Sequence, residues 1–280
     1  MSTWDEGDVP PQKPFDAMGY LRIFMRGLAV GTLVFGGLIV LLLVRLVERP
    51  VYGLHRPLTP HITVFVCANA LRLLGIRNTV TGQPMTTPGA VVANHSSWLD
   101  IFVLNARKRI YFVSKSEVAA WPGIGWLARA TGTVFIERNP KKAAEQTRLF
   151  QERLLAGHRL LFFPEGTSTD GRRVLPFKPT LFQSFYAPQL RDVLYVQPVT
   201  VVYHAPKGED VRFYGWWGDM DFGPHLLHTL AAARQGRVEV IYHPPLKVAD
   251  FESRKTLARA AEEAVRAGHP FHGQAAEDQA

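Results

Sequence analysis

Apolar residues are laid along this chain in two different ways. Near the N-terminus they are continuous. Gly27 to Val44 carries no charge, and Arg26 and Arg45 close it on either side. As a helix those eighteen residues rise about 27 Å, just short of the hydrocarbon thickness of a bilayer. A second stretch, His61 to Ile76, is shorter and is interrupted by Asn69 and Arg72. The first reads as a membrane span or deep anchor. The second reads as an interfacial helix, with a buried core helix an equal alternative. From about residue 79 the pattern changes to short apolar runs alternating with amphipathic stretches. Strands are expected at Gly89–Ala93, Ile110–Val113, Thr133–Ile136, Arg159–Phe163, Tyr195–Tyr203 and Val238–Tyr242. Helices are expected at Trp98–Asn105, Lys142–Ala156 and Phe182–Ala187, and from Phe251 to Ala267. Such alternation predicts an α/β fold around a largely buried sheet. The chain then divides into a polar tail (1–20), anchor helices (21–78), an α/β domain (79–270) and a loose tail (271–280).

Two short motifs carry the chemistry. In Asn94-His95-Ser96-Ser97-Trp98-Leu99-Asp100, an imidazole and a carboxylate sit five residues apart where an apolar run ends. His95 is the only one of the ten histidines with an aspartate at that offset. A histidine accepts a proton near neutral pH when a carboxylate holds its other nitrogen in the right tautomer. On a continuous helix an offset of five would place the two side chains about 140° apart. The pair therefore requires His95 in a turn and Asp100 in the first turn of the next helix. A capping box, with Ser97 as N-cap and Asp100 folding back on it, is the rival reading and is compatible with the first. Together these are two members of a serine-hydrolase triad without the serine. If the hydroxyl belongs to the substrate, acyl transfer proceeds with no acylated enzyme. Gly166-Thr167-Ser168-Thr169-Asp170 lacks the last glycine of a nucleophile elbow, which weakens the hydrolase reading.

The second motif is Phe163-Pro164-Glu165-Gly166-Thr167, where proline and glycine end an apolar strand and Gly166 can take a positive φ. Arg138, just past the strand at Thr133–Ile136, is a candidate clamp for a phosphate or carboxylate, or else a surface partner of Glu137. Lys115 and Lys178 are weaker candidates for donor phosphates, or simply solvated. Phe213 to Phe222, aromatic and glycine-rich, reads either as a loop packed over the site or as a plug of the core.

Charge and cysteine usage narrow the partners. A net charge of +8 suits an anionic partner. The basic residues are scattered and no nucleic-acid-binding module is present, so a lipid surface fits better. The one cysteine, Cys67, excludes an internal disulfide and argues against a thiol nucleophile. The histidines lack metal-ligand spacing, and no metal or bound cofactor is expected. Arg45, Arg49 and Arg56 just after the apolar stretch place the α/β domain on the cytoplasmic side by the positive-inside tendency.

The NHSSWLD segment resembles the His-x4-Asp motif of the glycerolipid acyltransferase (PlsC-like) family. Three further segments are similar to family blocks, in the same order: Gly132 to Asn139, Phe163 to Thr167, and Val196 to Val199. The likeness covers roughly residues 80–205; the chain resembles the lysophosphatidate acyltransferases and, more closely, the lyso-ornithine-lipid acyltransferases. It implies a mixed β-sheet flanked by helices and a membrane-bound O-acyltransferase at the bacterial inner membrane. His95 and Asp100 would be catalytic, and Arg138, Glu165, Gly166, Thr167 and Ser168 would bind the lysolipid acceptor. The donor would be a thioester of acyl carrier protein or coenzyme A. One departure stands out. Lysophosphatidate enzymes usually read Glu-Gly-Thr-Arg in the third block, and here Ser168 takes the arginine's place. A hydroxyl cannot neutralise a phosphate, so lyso-ornithine lipid is the expected acceptor, with 1-acyl-glycerol-3-phosphate as a second. The alternatives are a strict lysophosphatidate acyltransferase, an acyl-thioesterase and an inactive lipid-binding protein.

Overall fold

A computed structural model describes residues 9–10, 14–137 and 143–270. The chain begins with α1 (Ala17–Tyr52) and α2 (Thr59–Leu74), followed by β1 (Arg77–Thr81), β2 (Gly89–Ala93) and α3 (Asp100–Asn105). Next come β3 (Tyr111–Lys115), α4 (Ile124–Thr131), β4 (Val134–Ile136), α5 (Ala143–Leu155) and β5 (Leu160–Phe162). The chain closes with β6 (Tyr195–His204), α6 (Phe222–Ala231), β7 (Arg237–Tyr242), β8 (Leu246–Lys247) and α7 (Arg254–Ala267). Seven strands run in the order β1-β7-β6-β2-β5-β3-β4, and β8 adds to β6. The five strands from β6 to β4 are parallel, whereas β7 runs antiparallel to β6.

Alternation along the strands sorts side chains onto two apolar faces. Val91 and Ala93 of β2 pack with Val199 and Val201 of β6 beneath α2 and α3. Ala90, Val92 and Leu160 face the other way, against Phe182, Phe185 and Leu257. With helices on both sides, β2 is buried at all five positions, as its Gly-Ala-Val-Val-Ala sequence requires. The mixed α/β class is as expected.

Several boundaries differ from expectation. The expected helix at Trp98 starts at Asp100, because a hydrogen-bonded turn occupies Ser97–Leu99. The segment expected as helix at Phe182–Ala187 is 3₁₀, from Pro179 to Tyr186. Pattern alone does not announce β1, α4 and α6, whose apolar periodicity is short or weak. The tails at 1–8 and 271–280 lie outside the described residues.

The first apolar stretch is the centre of a much longer helix, 36 residues or about 54 Å at 1.5 Å per residue. It is the one helix among the described residues long and apolar enough to cross a membrane, and 11% of its apolar window is buried. Phe24, Leu28, Ile39, Leu43 and Leu46 all face outward. Both ends are tied down, the first to the α/β domain and the second to the start of α2. Arg22 donates to Ala231 O at 2.6 Å, and Arg26 donates to Leu230 O and Ala232 O at 2.8 and 2.6 Å, at the C-terminus of α6. At the far end the buried Glu48 carboxylate accepts from Leu58 N, Thr59 N and Thr59 Oγ1, and nearby Arg56 donates to Ala130 O. In between, Gly37 crosses α2 so closely that a Cβ there would clash with the Val66 side chain. The second stretch is α2, whose Cys67, Leu71 and Leu74 enter the core. Its inner face is thus the buried helix of the alternative reading, while Phe65 and Leu73 stay exposed.

Candidate active site

The site forms where β2 and β5 end, at the carboxyl edge of the parallel strands, the edge at which open α/β sheets bind ligands. β2 stops at Ala93, and Asn94 then extends its attachment to β6 through a side chain. Asn94 Nδ2 donates to Val201 O at 2.9 Å, and Val201 N donates to Asn94 Oδ1 at 2.8 Å. This two-point lock delivers His95 into a turn, as the offset to Asp100 demands.

The His95 ring stacks on Phe163 at 4.0 Å with a 9° interplanar angle. Its Nδ1 lies 2.7 Å from Asp100 Oδ2, and the same oxygen accepts from Ser96 N at 3.0 Å and Ser97 N at 3.1 Å. The expected capping box does not form, because Asp100 is the first residue of α3 and Leu99 its N-cap, but Asp100 Oδ2 does fold back on Ser97 N while it meets the imidazole. Asp100 is fully buried, while the His95 side chain is 22% exposed. A carboxylate that only accepts requires the proton on Nδ1, leaving the Nε2 lone pair open. Among the described residues nothing hydrogen-bonds to Nε2, and the neighbouring hydroxyls are turned elsewhere. Ser96 Oγ lies 3.5 Å from Asn94 Nδ2, and Ser97 Oγ accepts from Leu99 N. The site thus holds a base without a protein nucleophile on it.

From β5, Gly166 takes φ 75° and donates its N–H to Phe163 O at 3.0 Å, closing the expected turn. Glu165, expected to point at the acceptor, is instead buried behind the histidine. Its Oε1 accepts from His95 N at 2.7 Å and its Oε2 from Leu175 N at 2.9 Å. Burial pushes its carboxyl up to about 8, against the pull of those two N–H groups, and Asp100's charge adds to the rise. Thr167 is half-buried and Ser168 is buried. Thr169 N donates to His95 O at 3.0 Å, so this turn holds the histidine's backbone from a second side. Lys115, at the end of β3, and Lys178 are both exposed, and Lys178 N donates to Pro164 O. Arg138 lies outside the described residues.

The aromatic loop at Phe213–Phe222 serves both of the roles set against each other above. Tyr214 and Trp217 are buried as a plug. Trp216 N donates to Ser96 O at 2.9 Å, placing the loop directly beside the turn that carries His95. Sequence reasoning missed Tyr203, whose OH lies 2.6 Å from Asp100 Oδ1. A signal was there to find it. Val199, Val201 and Tyr203 share one face of β6, and a tyrosine among buried aliphatic side chains needs a partner for its hydroxyl.

Comparison with known proteins shows the family. The acyltransferase family model matches residues 77–202. The lyso-ornithine lipid O-acyltransferase of Rhodobacter capsulatus is 58% identical over 95% of this chain and 96% of its own. That of Pseudomonas aeruginosa is 35% identical over 89% of this chain and 94% of its own. The 1-acyl-sn-glycerol-3-phosphate acyltransferase of Neisseria gonorrhoeae is 33% identical over 63% and 68%. In fold, the chain is similar to the crystal structure of PlsC, the 1-acyl-sn-glycerophosphate acyltransferase of Thermotoga maritima. That match has a TM-score of 0.63 and 22% identity, and covers 89% of this chain and 94% of the other. With an open histidine base in the expected motif and relatives matched along nearly their whole length, the chain is an enzyme of lysolipid acylation and belongs to the PlsC-like acyltransferase family.

Proposed function

We propose that this enzyme transfers a fatty acyl group from a carrier thioester to the free hydroxyl of lyso-ornithine lipid, forming ornithine lipid. 1-Acyl-glycerol-3-phosphate is a second, weaker acceptor. The observation that carries the reading is the open Nε2 of His95, with Nδ1 held by Asp100 and no enzyme hydroxyl against it. Nε2 takes the acceptor's hydroxyl proton as that oxygen attacks the thioester carbonyl. The carbon–oxygen bond forms, the carbon–sulfur bond breaks, and the imidazolium returns the proton to the departing thiolate. Asp100 stabilises the imidazolium in between. The donor is a thioester of acyl carrier protein or coenzyme A, whose carbonyl is already activated.

Acceptor identity is supported from two directions. The R. capsulatus relative named for lyso-ornithine lipid spans nearly the whole chain. Ser168 stands where a phosphate-binding arginine is usual, and a zwitterionic head group asks for less positive charge there. The outward apolar face of α1 supports a position on the inner membrane, with the α/β domain on the cytoplasmic side, where both donors occur. The deciding experiment is an acceptor panel with purified full-length enzyme. Greater turnover on lyso-ornithine lipid than on lysophosphatidate is expected. Turnover on lysophosphatidate alone would establish the strict phospholipid reading, and acyl release without any acceptor would establish a thioesterase.

A further inference from the structure

We infer that Tyr203 is a positioning residue for the catalytic pair, fixing the Asp100 oxygen that His95 does not use. This rests on the reading of His95 as general base. The two oxygens of Asp100 are unequally served. Oδ2 meets His95 Nδ1 and two backbone N–H groups, whereas among the described residues Oδ1 meets Tyr203 OH alone, at 2.6 Å. Such a short O–H···O⁻ contact is of the charge-assisted kind. It also pins the carboxylate plane from the side opposite the imidazole. Tyr203 stands on the sheet face that α3 covers, as the penultimate residue of β6, paired with Val238 of β7. The hydroxyl is thus presented by a strand of the central sheet rather than by a loop.

Burial and the neighbouring Asp100 charge drive the Tyr203 phenol well above its ordinary 10, so it remains a hydrogen donor throughout the working range and shuttles no proton itself. The other titratable groups facing the pair are Glu165, behind the His95 backbone, and Tyr214, whose ring lies 5.6 Å from that of Tyr203. Without the phenolic hydrogen, Oδ1 is buried and unpartnered, and the Asp100 charge is less dispersed. It then attracts the imidazolium more strongly, and His95 loses its proton at a higher pH.

The test is steady-state kinetics of full-length enzyme in detergent micelles with lyso-ornithine lipid, for wild type, Tyr203→Phe, Asp100→Asn and the double variant. Phenylalanine keeps the ring and removes only the donor. Tyr203→Phe should lower kcat about tenfold, leave both KM values within about twofold and move the acid limb of kcat/KM upward by about half a pH unit. Because Tyr203 acts through Asp100, the double variant should be no slower than Asp100→Asn alone. An unmoved acid limb, or costs that simply add, overturns the inference. Should Tyr203→Phe not fold, 3-fluorotyrosine at position 203 gives a stronger donor of nearly the same shape. The limb should then move downward, and an unmoved limb again overturns the inference. His95→Ala separates the two levels. Its full activity would remove the general-base reading, whereas an inert His95→Ala beside a Tyr203→Phe that behaves as wild type removes only the role of Tyr203.

Discussion

The backbone N–H of His95 donates to Glu165 Oε1 at 2.7 Å, so the acid of one motif holds the main chain of the other. The second Glu165 oxygen reaches Leu175 N, tying the 166–175 segment into the same hub. The buried carboxyl is raised from 4.5 to about 8. The native state therefore keeps a proton that the unfolded chain releases above about pH 4.5. Stability from this group is present at low pH, declines as pH rises from about 4.5 toward 8, and is fully lost above that. Glu165→Gln, which cannot ionise, should flatten the decline. Thermal melts from pH 5 to 9 check this, and equal slopes in the two proteins would exclude it. Each pH unit between native and unfolded ionisation corresponds to about 1.4 kcal/mol, so the contrast is on the order of a few kcal/mol.

His95→Ala should lower turnover on the order of a thousandfold, since general-base catalysis is lost while the partly exposed position tolerates the change. Asp100→Asn should cost less than His95→Ala, because the imidazole remains but its tautomer is no longer fixed. Circular dichroism with initial rates checks both, and folded His95→Ala protein of normal activity would exclude the mechanism.

Ser168→Arg should shift acceptor choice toward lysophosphatidate. A charge-assisted bond to the phosphate adds roughly 1.5–3 kcal/mol where its geometry is met. Because Ser168 is buried, the arginine must displace the 167–170 turn, and some thermal stability should be lost as well. The ratio of initial rates on the two acceptors is the measurement. A ratio that does not move would show that this position does not read the head group.

The outward face of α1 gives a separate test. Phe24, Leu28 and Leu43 are about 60% exposed. Replacing all three with serine should weaken vesicle binding by roughly 1.5–3 kcal/mol per side chain removed from the bilayer. The α/β domain should melt as before, and activity on detergent-dispersed acceptor should persist. Unchanged co-sedimentation with vesicles would mean that this face does not meet lipid.

The class of fold and the pairing of His95 with Asp100 were legible because each has a strong local signature. β2 is a continuous apolar run that only a doubly covered strand requires, and His95 and Asp100 share one turn. Glu165 was found by its motif, but its direction was not. Whether a carboxylate faces substrate or turns back on the chain depends on Leu175 N and His95 N, and no spacing rule brings those to it. Tyr203 stands 103 residues from Asp100, and only the pairing of β6 with β2 brings the two together. The ends of α1 were blurred for a related reason. Arg22, Arg26 and Glu48 look like charges that terminate an apolar helix, yet their partners in the fold let the helix continue through them.

That tethering has a topological consequence. A helix that crosses a bilayer parts its two ends into different compartments, whereas the start of α1 is fastened to the α/β domain by Arg22 and Arg26, and the loop that follows its end is fastened to the same domain by Arg56. While those attachments hold, no charged segment has to be carried through hydrocarbon, and the outward apolar face of α1 can meet lipid only sideways. Arg22, Arg26 and Arg56 act there as staples to the protein's own carbonyls. An enzyme seated in lipid by that face alone would draw its acceptor from a single leaflet, at a rate set by lateral diffusion there.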